Sequence, residues 1–406
     1  MIAPLFGAGW LCAAVLAQEG PASSDTSTAD DLSRQLDSVM VAPVPPSQTR
    51  TTAVPSGTGL MNPDISVIFD GVAGAANRTR ASSSGDDPVV GSPGGGRAVG
   101  FALQELEVGL QSTVDPYFAA NVFLTIPNLG GIEVEEAYAV TTSLPGGLQL
   151  KAGVFRSAAG RQNEQHLHSQ DFSLRPLLNQ AYLGEDGLRP PGVQLSWLLP
   201  LPIFLRLTVE ALSIPVGNNP SFGGGLPSSP TFLGNLKTFL PLGESLSLLL
   251  GATAARGHSP PVATSGDVPE TSNGPHSLLV AGDLYLKYMP PNRTGGYFTV
   301  ALQSEYFLRR IAGDRATQVD AGFYAQLVSQ LARRFHVGFR FDQLGLPASD
   351  LVPTGDRLSA MAMFTPTEFS RVRLQGAREK VEVGGPVYEA LLLLEFAIGA
   401  HGAHAF

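Results

Sequence analysis

"PIFLRLTVEAL", residues Pro202 to Leu212, alternates apolar and polar side chains along most of its length. The apolar positions are Ile203, Leu205, Leu207 and Val209, and the polar positions between them are Arg206, Thr208 and Glu210. Successive side chains of a β-strand point to opposite faces of the sheet. The period of two therefore predicts a strand with one apolar face and one polar face.

The same alternation continues from Asn62 to the end of the chain. It recurs in FAANVFLTI (Phe118–Ile126) and in LQLKAGVF (Leu148–Phe155). Strands of soluble sandwiches are usually ~5 to 6 residues long. The alternating segments here run to roughly 9 to 14 residues, the length that crosses a bilayer at a tilt. The pattern therefore predicts an all-β, membrane-spanning architecture.

The connections between the predicted strands are of two kinds. Tight turns such as DPY (115–117), SLPGG (143–147) and PLGE (241–244) alternate mostly with long loops rich in Gly, Ser and Pro, such as 156–192 and 256–276. Short periplasmic turns and long outer loops are typical of outer-membrane barrels. We predict an antiparallel barrel of about sixteen strands with both ends in the periplasm; merging of neighbouring segments gives fourteen.

Three domains are expected along the chain. Residues 1–17 form an apolar stretch ending in Val-Leu-Ala, which suits a cleaved secretory signal peptide. Residues 18–61 are rich in Ser, Thr, Pro and Asp and predict a periplasmic linker with one short helix over Ala29–Met40. Residues 62–406 form the barrel. Its last residue, Phe406, resembles the terminal aromatic signal that the barrel assembly machinery reads.

Composition and motifs exclude several classes of function. The formal net charge is -9, and no long basic run is present, so nucleic acid is not an expected partner. The chain holds one Cys, within the predicted signal peptide. It lacks the GxSxG, HExxH and Walker motifs of soluble enzymes. We therefore expect no catalytic residues and no cofactor.

The polar phase of the strands predicts which side chains line the pore. Acids come from early strands and arginines from late strands, which predicts a transverse electric field across the lumen. A porin lumen is polar in any case, so the alternative is that this segregation carries no function. The predicted pore-lining residues are Glu105, Glu107, Glu133, Glu135, Lys151, Arg206, Arg340, Arg357, Arg371 and Arg373.

The longest predicted outer loop, 156–192, contains GRQNEQHLHSQDFSLRPL (Gly160–Leu177). A loop of this length reaches into a barrel and narrows it, so we expect a constriction loop. Its charged residues are Arg156, Arg161, Glu164, Asp171 and Arg175. His166 and His168, with Asp171, are candidate ligands for Zn²⁺ or Cu²⁺, although two histidines supply only half of a tetrahedral site. The alternative is ordinary loop histidines that hydrogen-bond to the barrel wall.

Several motifs resemble a family of bacterial porin-like outer-membrane proteins. They are NPDISVIFDG (Asn62–Gly71), VEEAYAV, LPGGLQLKAGVFR, GRQNEQHLH and GEDGLRPPGVQLSWLLP (Gly184–Pro200). Some members are labelled zinc-regulated TonB-dependent outer membrane receptors. The family is also similar to the phosphate-selective porins. A TonB-dependent receptor needs a plug domain, for which residues 18–61 are too short. This departure from the TonB-dependent pattern favours passive or loosely gated permeation.

Three functions are compatible with these observations. The first is a Gram-negative outer-membrane channel for small hydrophilic solutes, surrounded by lipid and narrowed by the 156–192 loop. The second is a zinc-uptake receptor, TonB-linked or not, and the third is a structural or adhesive barrel with a plugged lumen. The sequence leaves the solute and the oligomeric state open, a homo-oligomer included.

Overall fold

The computed structural model describes residues 63–77, 98–127, 130–215, 219–223, 229–261, 273–291, 298–313, 316–381 and 385–399. The predicted signal peptide, the whole predicted linker with its helix, and Phe406 lie outside these residues. Within the described ranges no helix is both long and apolar enough to cross a membrane.

Sixteen strands dominate the described chain. Their bounds are β1 Asp64–Ala76, β2 Ala98–Thr113, β3 Phe118–Pro127, β4 Glu133–Thr141, β5 Leu148–Val154, β6 Pro191–Leu198, β7 Phe204–Leu212, β8 Thr231–Pro241, β9 Leu246–His258, β10 His276–Tyr288, β11 Thr299–Ala312, β12 Thr317–Ala332, β13 Phe335–Leu344, β14 Gly355–Thr367, β15 Ser370–Val381 and β16 Val387–Gly399. One α-helix, α1, spans Leu177–Leu183, and single 3₁₀ turns span Pro145–Gly147, Gln162–Glu164 and Leu167–Ser169.

The strands form one closed antiparallel barrel in which each strand pairs with its neighbours in sequence. The last strand closes on the first, with Phe69 opposite Phe396 and Val67 opposite Ile398. Closure leaves no sheet edge with unpaired backbone groups, as a membrane-spanning sheet requires. The prediction of an all-β barrel of sixteen strands is confirmed, and the fourteen-strand alternative is wrong.

The two faces of each strand differ in the way that the alternation predicts. In β14, Leu358 is 54% exposed on the outside of the barrel, whereas its neighbours Arg357 and Ser359 are each 1% exposed. In β16, Leu394 and Phe396 are exposed while Glu395 between them is buried. The apolar phase therefore forms the outer surface, and the charged phase faces the interior.

Connections at the two ends of the barrel differ in length. At one end, strands such as β12 and β13 are joined by two residues, and β14 and β15 likewise. At the other end the connections are mostly longer, with 36 residues between the end of β5 at Val154 and the start of β6 at Pro191. The exceptions are the links from β3 to β4, from β11 to β12 and from β15 to β16, which have four or five residues each. These ends are called the short-turn end and the long-loop end.

The β5–β6 connection, Phe155–Pro190, folds into the barrel and is called the inner loop. All residues from Phe155 to Asn163 are buried. Helix α1 packs Leu178, Tyr182 and Leu183 in one apolar cluster with Phe307 and Tyr324 of the barrel wall. Burial of such side chains is worth roughly 1.5–3 kcal/mol each, so apolar contacts are a substantial part of what holds the loop inside.

Some interior positions of the wall are apolar, contrary to a uniformly polar lumen. Leu391 and Leu393 of β16 cluster with Leu174 of the inner loop. Met361 and Met363 of β14 cluster with Phe172. The physical reason is that these wall positions face loop side chains, which the alternation along a single strand does not reveal.

Candidate functional site: the inner loop and the charged walls

Two early strands carry a group of interior carboxylates, called the acid wall: Glu105 and Glu107 on β2, and Glu135 and Glu136 on β4. A β-bulge in each strand shapes the group. The register of β2 shifts at Gln104, and the register of β4 shifts at Glu135. A bulge breaks the alternation, which is why the adjacent residues Glu135 and Glu136 are both buried.

The acid wall binds side chains of the inner loop. The imidazole Nδ1 of His166 lies 3.0 Å from Glu107 Oε2 and 3.1 Å from Glu135 Oε2. Its other nitrogen, Nε2, lies 2.9 Å from Glu136 Oε2. The guanidinium of Arg156 pairs with Glu135, and its backbone N–H donates to Glu136 Oε1 at 2.5 Å. The acid wall therefore bonds to the side chains of two loop residues, His166 and Arg156, as well as to the loop backbone.

His168 joins the same group from the next 3₁₀ turn. Its Nδ1 lies 3.3 Å from Glu107 Oε2, so Glu107 contacts both histidines. The two imidazole centroids are 5.5 Å apart, and the ring of Phe123 on β3 lies 4.8 Å from that of His166. The described residues thus bring both predicted histidines to two of the predicted pore-lining acids.

The charge state of His166 follows from this environment. Burial acts to lower the pKa of its imidazole, but the carboxylates of Glu135 and Glu107 outweigh burial and hold that pKa well above its ordinary value. A raised pKa means that His166 carries a proton on both nitrogens near neutral pH. It is then a cation that donates to three carboxylates.

Four arginines on late strands, called the arginine wall, hold the inner loop differently. They are Arg340 on β13, Arg357 on β14, and Arg371 and Arg373 on β15. Their guanidinium groups donate to main-chain carbonyls of the loop: Arg340 to Leu174 at 2.8 Å, Arg357 to Arg175 at 2.9 Å, Arg371 to His168 at 2.9 Å and Arg373 to Gln170 at 2.8 Å.

Carboxylates on the same strands or their neighbours balance these arginines. Arg340 pairs with Asp342 at 2.9 Å, and Arg357 pairs with Glu379 at 2.6 Å. Arg371 lies 3.4 Å from Glu395 of β16. A buried charge without a partner is costly. These pairs therefore leave further guanidinium N–H groups to bind the backbone of the loop.

A basic pair on β7 and β8 binds the loop near its 3₁₀ turns. Arg206 lies 3.4 Å from Glu164, and Lys237 pairs with the same carboxylate. Burial acts to raise the pKa of Glu164, but Lys237 and Arg206 hold it below its ordinary value. Lys151 of β5 lies close by, with its ammonium 4.6 Å from the ring centroid of Tyr138.

Two further interior acids bind loop groups. Glu210 of β7 accepts hydrogen bonds from the hydroxyl of Ser157 at 2.5 Å and from the N–H of Ala158 at 2.9 Å. Glu305 of β11 accepts from the N–H of Gln162 at 2.5 Å. Both carboxylates therefore accept hydrogen bonds from buried backbone N–H groups of the loop, which have no partner strand to bond to.

The remaining predicted loop and rim residues have clear positions. Arg161 donates to Gln303 at 3.2 Å and lies over the ring of Tyr285, and Asp171 accepts from Gln326 at 3.3 Å. The backbone carbonyl of Arg175 accepts from the arginine wall. Glu133 has a half-exposed side chain at the long-loop end, where it pairs with Arg189.

Closure and the bulges add two facts that strand phase alone does not give. The acid wall and the arginine wall lie a few strands apart, because β15 is followed in the closed order by β16, β1 and then β2. The inner loop bonds to both walls, and the transverse field between them stays a prediction. Glu136 was missed because only the bulge turns it inward. Lys237, Glu210 and Glu305 were also missed, although each lies in the polar phase of its strand.

Comparisons with known proteins agree with this geometry. No family model matches the chain. A protein of Aquifex aeolicus (strain VF5), described as uncharacterized, is 36% identical over 346 residues, which cover 76% of this chain and 70% of that protein. The chain belongs to the family of that protein.

Solved structures identify the fold of the chain. The anion-selective porin of Comamonas acidovorans is 10% identical with a TM-score of 0.55, over 83% of this chain and 99% of the porin. The outer membrane channel DcaP of Acinetobacter baumannii is 9% identical with a TM-score of 0.54, over 83% and 97%. OprB of Pseudomonas putida is 11% identical with a TM-score of 0.52, over 82% and 94%. The chain has the outer-membrane porin fold, and its apolar outer surface suits the outer membrane of a Gram-negative bacterium.

Proposed function

We propose that this protein is a diffusion channel for small hydrophilic solutes and that the inner loop narrows its passage. The observation that carries the proposal is the spread of the loop's anchors around the barrel. The anchoring side chains lie on β2, β4, β7, β8, β11, β13, β14 and β15. A loop bonded to so many strands lies across the interior rather than against one wall.

Charge along the inner loop favours polar solutes. The side chains of Glu164 and His166 keep 17% and 14% of their surface exposed, and each is bonded to charged wall residues. Ser169, three residues after His166, is exposed. An apolar solute that passes these groups must displace water from charges, which costs free energy. A hydrophilic solute replaces that water with its own polar groups.

A cavity at the long-loop end supplies an entrance. Its volume is about 810 Å³, and its lining includes Glu133, Asp186, Arg189, Ile214 and Asn219. The mixture of both charge signs with apolar groups suits small polar molecules rather than one class of ion. The cavity lies against the inner loop, since residues 184–190 of that loop form part of its lining.

Single-channel conductance in planar bilayers tests this proposal. Val154 and Pro191 are paired across β5 and β6, so the loop can be excised by joining these residues through a two-residue turn without changing the ladder. We expect an ohmic conductance for the full chain and a several-fold larger conductance after excision. The lumen would then lack the loop, while the anchoring side chains of the wall would remain.

Two outcomes would contradict separate parts of the proposal. Bilayers that stay silent with both proteins would exclude a channel. Equal conductances of the full and excised chains would exclude narrowing by the loop. Heat-modifiable migration on a gel, which reports a folded barrel, is the control for both proteins.

A further inference from the structure

We propose that His166, His168, Glu107 and Glu135 bind a divalent transition-metal ion, Zn²⁺ or an ion of similar chemistry, between the inner loop and the acid wall. This site goes beyond the channel function. It rests on where the inner loop lies and not on what passes through the barrel. The ion would join the loop to strands β2 and β4.

Donor spacing is the first argument. Glu107, His166 and His168 each offer one ligand atom within 4.8 Å of the others, and Glu105, Glu107 and Glu135 do the same. Tetrahedral zinc with bonds of about 2.0 Å to nitrogen and oxygen places its ligand atoms about 3.3 Å apart. The three separations at the centre of the group are 3.0, 3.1 and 3.3 Å. Small side-chain shifts are therefore enough to admit the ion.

Charge balance is the second argument. The acid wall brings four carboxylates together: Glu105, Glu107, Glu135 and Glu136. Arg156 supplies one positive charge against them, through its pairing with Glu135. A surplus of carboxylates away from bulk water is costly unless it meets a cation. A divalent ion that replaces the Nδ1 proton of His166 adds more positive charge than it displaces.

Orientation of His166 is the third argument. Its Nε2 is held by Glu136 at 2.9 Å, while its Nδ1 faces Glu107 and Glu135. Metal-binding histidines commonly donate their second ring N–H to a carboxylate, which fixes the ring and strengthens the ligand. Glu136 is placed for this role. A metal ion at Nδ1 would take the position of the imidazole proton that now bridges the two carboxylates.

A buried carboxylate oxygen beside the site would gain a partner from the ion. Glu105 Oε1 is buried and makes no hydrogen bond within the part of the chain that the structure describes. Glu105 belongs to the same carboxylate triangle as Glu107 and Glu135. Two imidazoles among the ligands favour Zn²⁺, Cu²⁺ or Ni²⁺ over Ca²⁺ and Mg²⁺, which prefer oxygen ligands alone.

Calorimetric titration of the detergent-solubilised full chain with Zn²⁺ tests the site. We expect one ion per chain, and at least a tenfold loss of affinity in His168→Gln and in Glu107→Gln. Ca²⁺ in excess should not compete. Co²⁺ provides a second readout, because tetrahedral coordination by two imidazoles gives visible absorption that the variants should lose.

The matched control is the double variant His258→Gln with His276→Gln. These histidines form another close pair, on β9 and β10, with ring centroids 4.5 Å apart. We expect the control to keep one Zn²⁺ with unchanged affinity. Absence of stoichiometric binding by the full chain, or loss of binding only in the control, would overturn the proposal. So would full affinity in both His168→Gln and Glu107→Gln.

Folding and channel function are separated from metal binding by two further measurements. Heat-modifiable migration identifies any variant that fails to form the barrel. If Glu107→Gln fails, Glu107→Asp replaces it, because Asp keeps the carboxylate. We expect Glu107→Asp to weaken Zn²⁺ binding less than Glu107→Gln. Conductance is measured with a chelator present. A silent channel that still binds Zn²⁺ would contradict the channel function alone, and a conducting channel that does not bind Zn²⁺ would contradict the metal site alone.

Discussion

The acid wall and the arginine wall hold the same loop by different kinds of contact. The acid wall bonds mainly to loop side chains, His166 and Arg156. The arginine wall bonds mainly to loop carbonyls. Every residue except proline has the same backbone groups, so the arginine wall fixes the path of the loop with little regard to its sequence. The acid wall, by contrast, requires particular side chains in the loop, namely His166 and Arg156.

The largest effect is expected when the arginine wall loses a guanidinium. Arg340→Met leaves Asp342, which is fully buried, without its ion pair, and it also leaves the Leu174 carbonyl without this donor. Removing one partner of a buried pair costs about 3–5 kcal/mol. Urea unfolding of the folded barrel measures this loss in the free energy of unfolding.

The control for that change is Arg378→Met on β15. Arg378 is 42% exposed, and its partner Asp356 is 28% exposed. We expect the free energy of unfolding to fall by less than about 1 kcal/mol, because exposed ion pairs contribute little. Equal losses in the two variants would show that burial of the arginine wall is not what makes it important.

An intermediate effect is expected on the acid side. Arg156→Met removes the pairing with Glu135 and the hydrogen bond to the carbonyl of Asp186. Hydrogen bonds between charged groups are worth about 1.5–3 kcal/mol, and His166 still contacts Glu135. We expect a loss of about 2–3 kcal/mol, with faster hydrogen exchange of the loop amides near Ser157 and Ala158.

Arg189→Met is the matched control for Arg156→Met. Arg189 also pairs with an acid of β4, Glu133, but that carboxylate is half-exposed. We expect less than about 1 kcal/mol and unchanged exchange at Ser157. A larger loss than in Arg156→Met would mean that the rim, rather than the acid wall, holds the loop.

The smallest effect is expected for a loop side chain that faces the arginine wall. Gln170→Met keeps the carbonyl that accepts from Arg373 and the volume of a side chain that is 1% exposed. It removes the hydrogen bond from the side chain to the carbonyl of Gln165, at 3.3 Å. We expect a loss of about 0.5–1 kcal/mol in urea unfolding. A loss as large as that of Arg156→Met would contradict the distinction between the two walls.

Part of the candidate site was predictable because strand phase is a local property. Arg340, Arg357 and Arg373 alternate with apolar residues, and each lies in the interior as the period of two predicts. Glu136 was not predictable in this way. Its neighbour Glu135 occupies the bulge of β4, and the presence of a bulge depends on the pairing with β3.

The contacts of the inner loop were less predictable than its location. Its length and its position between two strands indicated a constriction loop. The motif GRQNEQHLH does not predict the partners of its histidines. His166 contacts Glu107 of β2, 59 residues earlier, and the carbonyl of His168 accepts from Arg371, 203 residues later. Such partners are set by the closed order of the strands.

The sequence by itself determined the barrel and the face on which most charged residues lie, because the period of two is a local property of each strand. It indicated a strand number of about sixteen, and the closed pairing of the strands decided between sixteen and fourteen. Tertiary structure alone decided that the acid and arginine walls lie a few strands apart, with the inner loop bonded to both. That arrangement arises when β1 pairs with β16 and when two bulges turn extra side chains inward. Both depend on contacts between residues that are far apart in the chain.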